Sequence, residues 1–252
     1  MLHAQTQFTP LVCSHHGRVI LRNIFSSPAH GVADIACAGL PGLYSNAGVY
    51  PLAYLTEGRD GLRQLFSSAH GGLRWLAIGA AVGALVSIAV FVAGSILGMP
   101  IQADLSGPGT WFVILATVPL AYFEELGWRR FALDRLLKSR SPFESALLLG
   151  LPWGLLHIVI LLPGMMSAGV PVIGQVGTVI LISIVLTWAY VRSDGSVLTV
   201  TLLHGVQNGM VVLNRGLPIV DATWLMMGVY LVIAILFLFF DRRLFFAKVA
   251  KS

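Results

Sequence analysis

An all-α bundle of about six transmembrane helices is the fold the sequence predicts, and three observations predict it. Only 11% of the 252 residues are Asp, Glu, Lys or Arg, while 56% are hydrophobic, and mean hydropathy is +0.82. A soluble chain carries about 25% charged residues, so this one has too few to coat a water-facing surface. Second, residues 75–103, 105–123, 145–191, 195–214 and 222–240 hold no charged residue at all. Several of these windows match the roughly 20 apolar residues that cross a ~30 Å hydrocarbon core at 1.5 Å each. Third, the basic residues sort to one side once the chain is threaded back and forth.

Taken in order, residues 1–55 read as a polar extension, expected to be partly disordered. They hold Ser14–His15–His16–Gly17, Ser26–Ser27–Pro28 and no long apolar run. Cys13 and Cys37 lie here without CxxC spacing, so they define no metal site and leave the redox compartment open. The first 17 residues lack Lys and Arg, which argues against a secretory signal. A helical domain is expected over 56–252, with spans near 75–98, 110–137, 143–162, 175–191, 196–213 and 224–240. The long uncharged window holds two spans because Pro163, Gly164, Gly169 and Pro171 interrupt it. The second segment exceeds a bilayer's need and ends in charge at Lys138, so its last turns should leave the membrane.

With six spans and both termini cytoplasmic, the inner side collects Arg18, Arg22, Arg59, Arg63, Arg74, Arg129, Arg130, Arg135, Lys138 and Arg140. It also takes Arg192, Arg242, Arg243, Lys248 and Lys251, which leaves only Arg215 outside. Fifteen of 16 on one side is what the positive-inside rule expects. The formal net charge of +5 is therefore topogenic. No aromatic-interleaved basic stripe marks a nucleic-acid surface, and no nucleic-acid partner is expected. The chain reads as a multi-pass integral protein of the lipid bilayer, in the plasma membrane if the source is bacterial.

Charge inside a span costs about 2.5–3.5 kcal/mol at the helix centre on insertion scales, so polar residues there are informative. Glu124 and Glu125 are adjacent, about 100° apart on a helix. Arg129 follows Glu125 by four and can pair with it, leaving Glu124 to face elsewhere. A second carboxyl in a poorly hydrated site suits a general base or proton shuttle; the plainer reading is an ion pair that joins helices. His157 follows Trp153 by four, after Pro152 and the Gly150–Gly154 pair. His204 and Asn208 are four apart on another span, flanked by Gly205 and Gly209. The Gly79–Gly83 and Gly94–Gly98 pairs are read as packing surfaces.

At these residues the chain resembles the CPBP intramembrane proteases, also called the CAAX protease and bacteriocin-processing or Abi family. Glu124–Glu125–Leu126–Gly127–Trp128–Arg129 fits the EExxxR motif, Trp153 to His157 fits FxxxH with Trp for Phe, and His204 to Asn208 fits HxxxN. The resemblance runs from about residue 56 to 240. It implies an endopeptidase acting on a membrane-associated protein or peptide. Glu124, helped by His157, would activate water, and His204 with Asn208 would stabilise the oxyanion. Glu125 and Arg129 would position the site, with Trp153 in support.

No Ser or Cys nucleophile with a paired base is evident, so direct water attack is expected. Catalysis without a cofactor is the favoured reading. The alternative is Zn²⁺ held by Glu124, His157 and His204, a reasonable ligand set that lacks HExxH. Two positions depart from the family pattern: Arg130 stands where Gly is common, and Asp134 where Pro is common. The rival reading is a transporter or scaffold that uses Glu124 and the histidines as a proton relay or packing network. No paired broken helices of an inverted repeat support it.

Overall fold

The computed structural model describes residues 48–67, 71–103, 108–165, 167–214 and 216–247. Most of the expected extension, with Cys13 and Cys37, lies outside the described residues, as do Arg18, Arg22, Arg215, Lys248 and Lys251 of the topology argument. The described chain is helical and contains no strand. Its helices are α1 (Val49–Phe66), α2 (Gly72–Ile96), α3 (Pro108–Glu125), α4 (Asp134–Leu137) and α5 (Pro142–Leu156), followed by α6 (Val172–Arg192), α7 (Val197–Gly209), α8 (Ile219–Phe240) and α9 (Arg242–Phe246). A π-helical segment, Leu126–Leu133, joins α3 to α4. Short 3₁₀ segments, His157–Leu161 and Met210–Asn214, extend α5 and α7.

Five of these units are long and apolar enough to cross a membrane: Gly72–Ile96, Pro142–Leu161, Val172–Arg192, Val197–Asn214 and Ile219–Phe240. Each falls within a few residues of an expected span. The expected second span, 110–137, is helical throughout. It is a composite rod whose apolar run, α3, ends at Glu124 and Glu125 and continues in a different helical wind. The expected boundary at residue 55 falls within α1. Gly58 (φ +64°) folds α1 into two arms, and the rings of Tyr50 and Phe66 come to 6.2 Å. A straight helix would hold residues so spaced about 24 Å apart. Ala53 and Leu65 are thereby buried together with Phe131.

Local chemistry sets the ends of the spans. Ser141 and Glu144 close a capping box on α5, with Pro142 in the first turn. Ser196 caps α7 by accepting from the Thr199 amide at 3.2 Å.

Glycine spacing sets the packing. A Cβ at Gly79 or Gly83 of α2 would collide with the carbonyl oxygens of Thr199 and Leu203 of α7. At Gly205 and Gly209 it would lie 2.6 Å and 2.7 Å from the Cα atoms of Val118 and Ile114 on α3. At Gly150 and Gly154 of α5 it would lie 2.9 Å and 3.2 Å from the Cα atoms of Ile180 and Val176 on α6. Each four-residue step on one helix thus meets a four-residue step on its neighbour, which is how small residues let membrane helices approach closely. Gly94–Gly98 is not such a pair: Gly98 lies past the end of α2 at φ +67°, with nothing near its Cβ position.

Buried and half-buried hydroxyls tie the same seams. Thr117 donates to the Gly205 carbonyl at 2.7 Å, Ser87 to Gln207 at 3.2 Å and Ser183 to Ala146 at 2.9 Å. Held by α2 on one side and α3 on the other, α7 is the most enclosed span. The outer faces of α2 and α8 expose Leu85, Ile88, Val92, Val232, Ile235 and Phe239, as lipid-facing surfaces do.

Candidate active site

The three motif-bearing helices share one local device. Each changes its wind beside its motif: α3 becomes π-helical after Glu125, α5 becomes 3₁₀ at His157, and α7 becomes 3₁₀ just after Asn208 and Gly209. Proline assists in two of them. Pro119 in α3 and Pro152 in α5 each remove an amide donor and crowd the carbonyl four residues back. Wind changes of this kind cluster at functional sites because they re-aim side chains without breaking the rod.

At the centre is Glu125, fully buried, paired with the equally buried Arg129 at 2.9 Å. Such a pair is tolerated in a membrane interior only because each charge answers the other. The other oxygen of Glu125 lies 2.7 Å from Nδ1 of His204. An ionised carboxylate only accepts, so Nδ1 of His204 carries a proton. His157 is set likewise. Its Nδ1 lies 2.8 Å from the Trp153 carbonyl oxygen, which again accepts only. Both Nδ1 protons are assigned from these partners. Each imidazole is therefore anchored through Nδ1 and presents Nε2.

Trp153, 3% exposed, is the hub between them. Its ring meets His157 at 5.7 Å and His204 at 5.5 Å, both edge-on, and Trp128 at 6.0 Å. The Arg129 guanidinium lies over it, 4.6 Å from the ring centroid, a cation–π contact worth about 2 kcal/mol where water is excluded. Glu124 is half-buried, and the charges of His204, His157, Glu125 and Arg129 all act on it.

Six of the seven residues singled out from the sequence thus form one cluster from three helices. The seventh, Asn208, lies one turn beyond His204 and is exposed. Its neighbour Gln207 is buried instead, its amide nitrogen 3.6 Å from the Met226 sulfur. Among the described residues no three His, Cys, Asp or Glu side chains are gathered as a metal ion would need.

Sequence reasoning overlooked Thr117, whose signal was a lone hydroxyl within an apolar span, and the contacts of Arg130, Asp134 and Tyr190. Nothing in the spacing pointed to the latter, because they join α1 and α6 to the π segment across long stretches of chain.

The sequence model of the type II CAAX prenyl endopeptidase Rce1-like family matches residues 106–210, a range that contains all three motifs. Over those residues the chain is similar to the Rce1-like family. It is also similar to a curated relative, CAAX prenyl protease 2 of Methanococcus maripaludis, with 26% identity over 146 residues. That match covers 54% of this chain, which spans about half (52%) of the relative's length. The Rce1-like range begins just before α3 and ends as α7 turns 3₁₀, so it frames the cluster and leaves α1, α2, α8 and α9 outside.

Proposed function

We propose that this chain is an intramembrane endopeptidase that hydrolyses a peptide bond of a membrane-associated protein or peptide. The observation that carries the reading is the matched anchoring of the two imidazoles, both held through Nδ1 with Nε2 free, beside the Glu124 carboxyl. In this reading Glu124 takes a proton from water, and Nε2 of His157 orients or shares that proton. The hydroxide attacks the scissile carbonyl directly, and no acyl-enzyme forms. With Nε2 also protonated and the ring's charge balanced by Glu125, His204 donates to the developing oxyanion, as does the Asn208 amide one turn on; the C–N bond then breaks as Glu124 passes its proton to the leaving amine.

Glu125 then has a more specific task than general support. It orients the His204 ring and compensates positive charge on it, as a buried carboxylate does for a catalytic histidine. Arg129 compensates the Glu125 charge and Trp153 holds the assembly square. The basic stretch Arg130–Arg140 would face the cytoplasm, where such a substrate would be presented. The reaction uses protein groups alone, so a chelator leaves the rate unchanged.

The test is cleavage of a prenylated CAAX peptide by the full chain in lipid vesicles. Glu124→Gln should abolish cleavage while folding is preserved. Retained activity in that variant, or Glu124-dependent ion flux without any cleavage, would overturn the reading in favour of another nucleophile or a proton relay.

A further inference from the structure

Arg130 and Asp134, the two positions that depart from the family pattern, are joined in a single network on the outer side of the π segment. The Arg130 guanidinium donates to three oxygens: the Gln64 carbonyl at 2.8 Å, the Ser67 carbonyl at 2.9 Å and the Asp134 carboxylate at 2.7 Å. The first two cap the end of α1. The second Asp134 oxygen accepts from the Tyr190 hydroxyl at 2.7 Å, near the end of α6. One continuous chain of bonds therefore runs from α1, through the π segment and α4, to α6.

A second strap lies beside it. Arg135 pairs with Glu57 on the first arm of α1, stacks 3.7 Å from the Phe131 ring centroid and donates to the Phe131 carbonyl at 2.7 Å. Between the straps, Phe131 is buried against Ala53 and Leu65.

Arg129 and Arg130 are neighbours that face opposite ways, one to the buried Glu125 and the other to α1. A π turn has poorer intrinsic stability than an α turn and persists where tertiary contacts hold it. We propose that Arg130 and Asp134 are positioning residues: by clamping the π segment to α1 and Tyr190 they hold the Glu125–Arg129 pair, and through it His204, in working geometry. The inference rests on the function proposed above for its meaning in catalysis, but its physical content stands apart from activity. It makes α1, which lies outside the range matched by the family, a working part of the site. Lysine does not substitute at 130, because a single ammonium lacks the guanidinium's planar fork for three separate acceptors.

The experiment uses the full chain in lipid vesicles with Cys13→Ser and Cys37→Ser, and Leu65→Cys as a reporter buried under the clamp. Two readouts need no substrate: the thiol-labelling rate at residue 65, and the downfield imidazole N–H signal of His204, assigned by its loss in Glu125→Gln. Arg130→Gln should raise labelling at least fivefold, displace or broaden the His204 signal, and lower the turnover number about tenfold. Arg130→Lys should behave nearly as Arg130→Gln, and the milder Tyr190→Phe should change both readouts about twofold in the same direction. Unchanged labelling would overturn the clamp. Faster labelling with an undisturbed His204 signal would overturn the positioning role, leaving a mere fastening of α1. Glu124→Gln should leave labelling at the wild-type rate. If the wild-type chain cleaves no peptide, the proposed function fails while these two readouts still decide the clamp.

Discussion

Consider adding one methyl group at Gly205, the residue after His204. Its Cβ would stand 2.6 Å from the Cα of Val118 on α3, where ordinary carbon–carbon contact needs about 3.5–4.0 Å. The obstacle is backbone, so no rotamer change relieves it, and α7 must move about 1 Å away from α3. That displacement stretches the Thr117 to Gly205 hydrogen bond, now 2.7 Å, beyond useful length. Overpacking of this kind costs about 1–3 kcal/mol, and an interhelical hydrogen bond in a membrane protein adds about 0.6 kcal/mol. The functional loss should exceed the stability loss. Glu124 rides on α3 and His204 on α7, and a misplacement of about 1 Å between reacting groups costs about 100-fold in rate. The assay is thermal unfolding in detergent beside peptide cleavage in vesicles. A Gly205→Ala variant with wild-type melting temperature and wild-type turnover would refute the claim that this seam sets the distance between the two groups.

Arg129→Met should be far worse than Arg129→Lys. It leaves Glu125 charged and uncompensated at 0% exposure, a cost of about 3–5 kcal/mol, to be read as lost folded yield after detergent extraction. Trp153→Phe should keep the ring contacts and lose only part of the cation–π term, whereas Trp153→Ala opens a cavity worth about 3–5 kcal/mol; thermal unfolding separates them. Just past the last span, Asp241 accepts from Arg192 at 2.6 Å and from Trp188 at 3.0 Å. The Arg192 hydrogen bond, with help from Trp188, holds its carboxyl below the usual range. A depressed folded-state pKa means the contribution is fully present above the unfolded value near 4 and is lost as pH falls through the lower folded value. Melting temperature should therefore fall between pH 4 and lower pH in the wild type, and more shallowly in Asp241→Asn.

What the sequence made legible depended on how local the signal was. The spans were readable because charge-free length is a one-dimensional property, and five of them lie within a few residues of expectation. The four-residue steps Glu125–Arg129, Trp153–His157 and Gly205–Gly209 were readable because one helical turn carries a residue back to the same face. Where the wind changes, that arithmetic stops. The π segment depends on bonds five residues apart and on contacts from α1, which no spacing within 126–133 encodes. Asn208 illustrates the same limit. Its spacing from His204 gave it a shared face, but not its exposure or the burial of Gln207 in its stead. The fold-back of α1 hangs on the positive φ of one glycine among 27, and nothing local distinguished Gly58 from the rest.

The clustered wind changes in α3, α5 and α7 also bear on hydration. Where an α-helix passes into a π or 3₁₀ turn, some carbonyls lose their usual amide partner, and hydrocarbon offers them nothing in exchange. Irregular backbone at membrane depth persists only against protein or beside water. Three such breaks flank the motif residues of α3, α5 and α7, and each places polar backbone in an otherwise apolar bundle. Backbone amides near Trp128, Val159 and Val211 should accordingly take up deuterium ahead of those in the middle of α2 or α8. On the proposed function, hydrolysis inside a membrane consumes a reagent that the membrane excludes, and the same irregularities would give it polar backbone to follow.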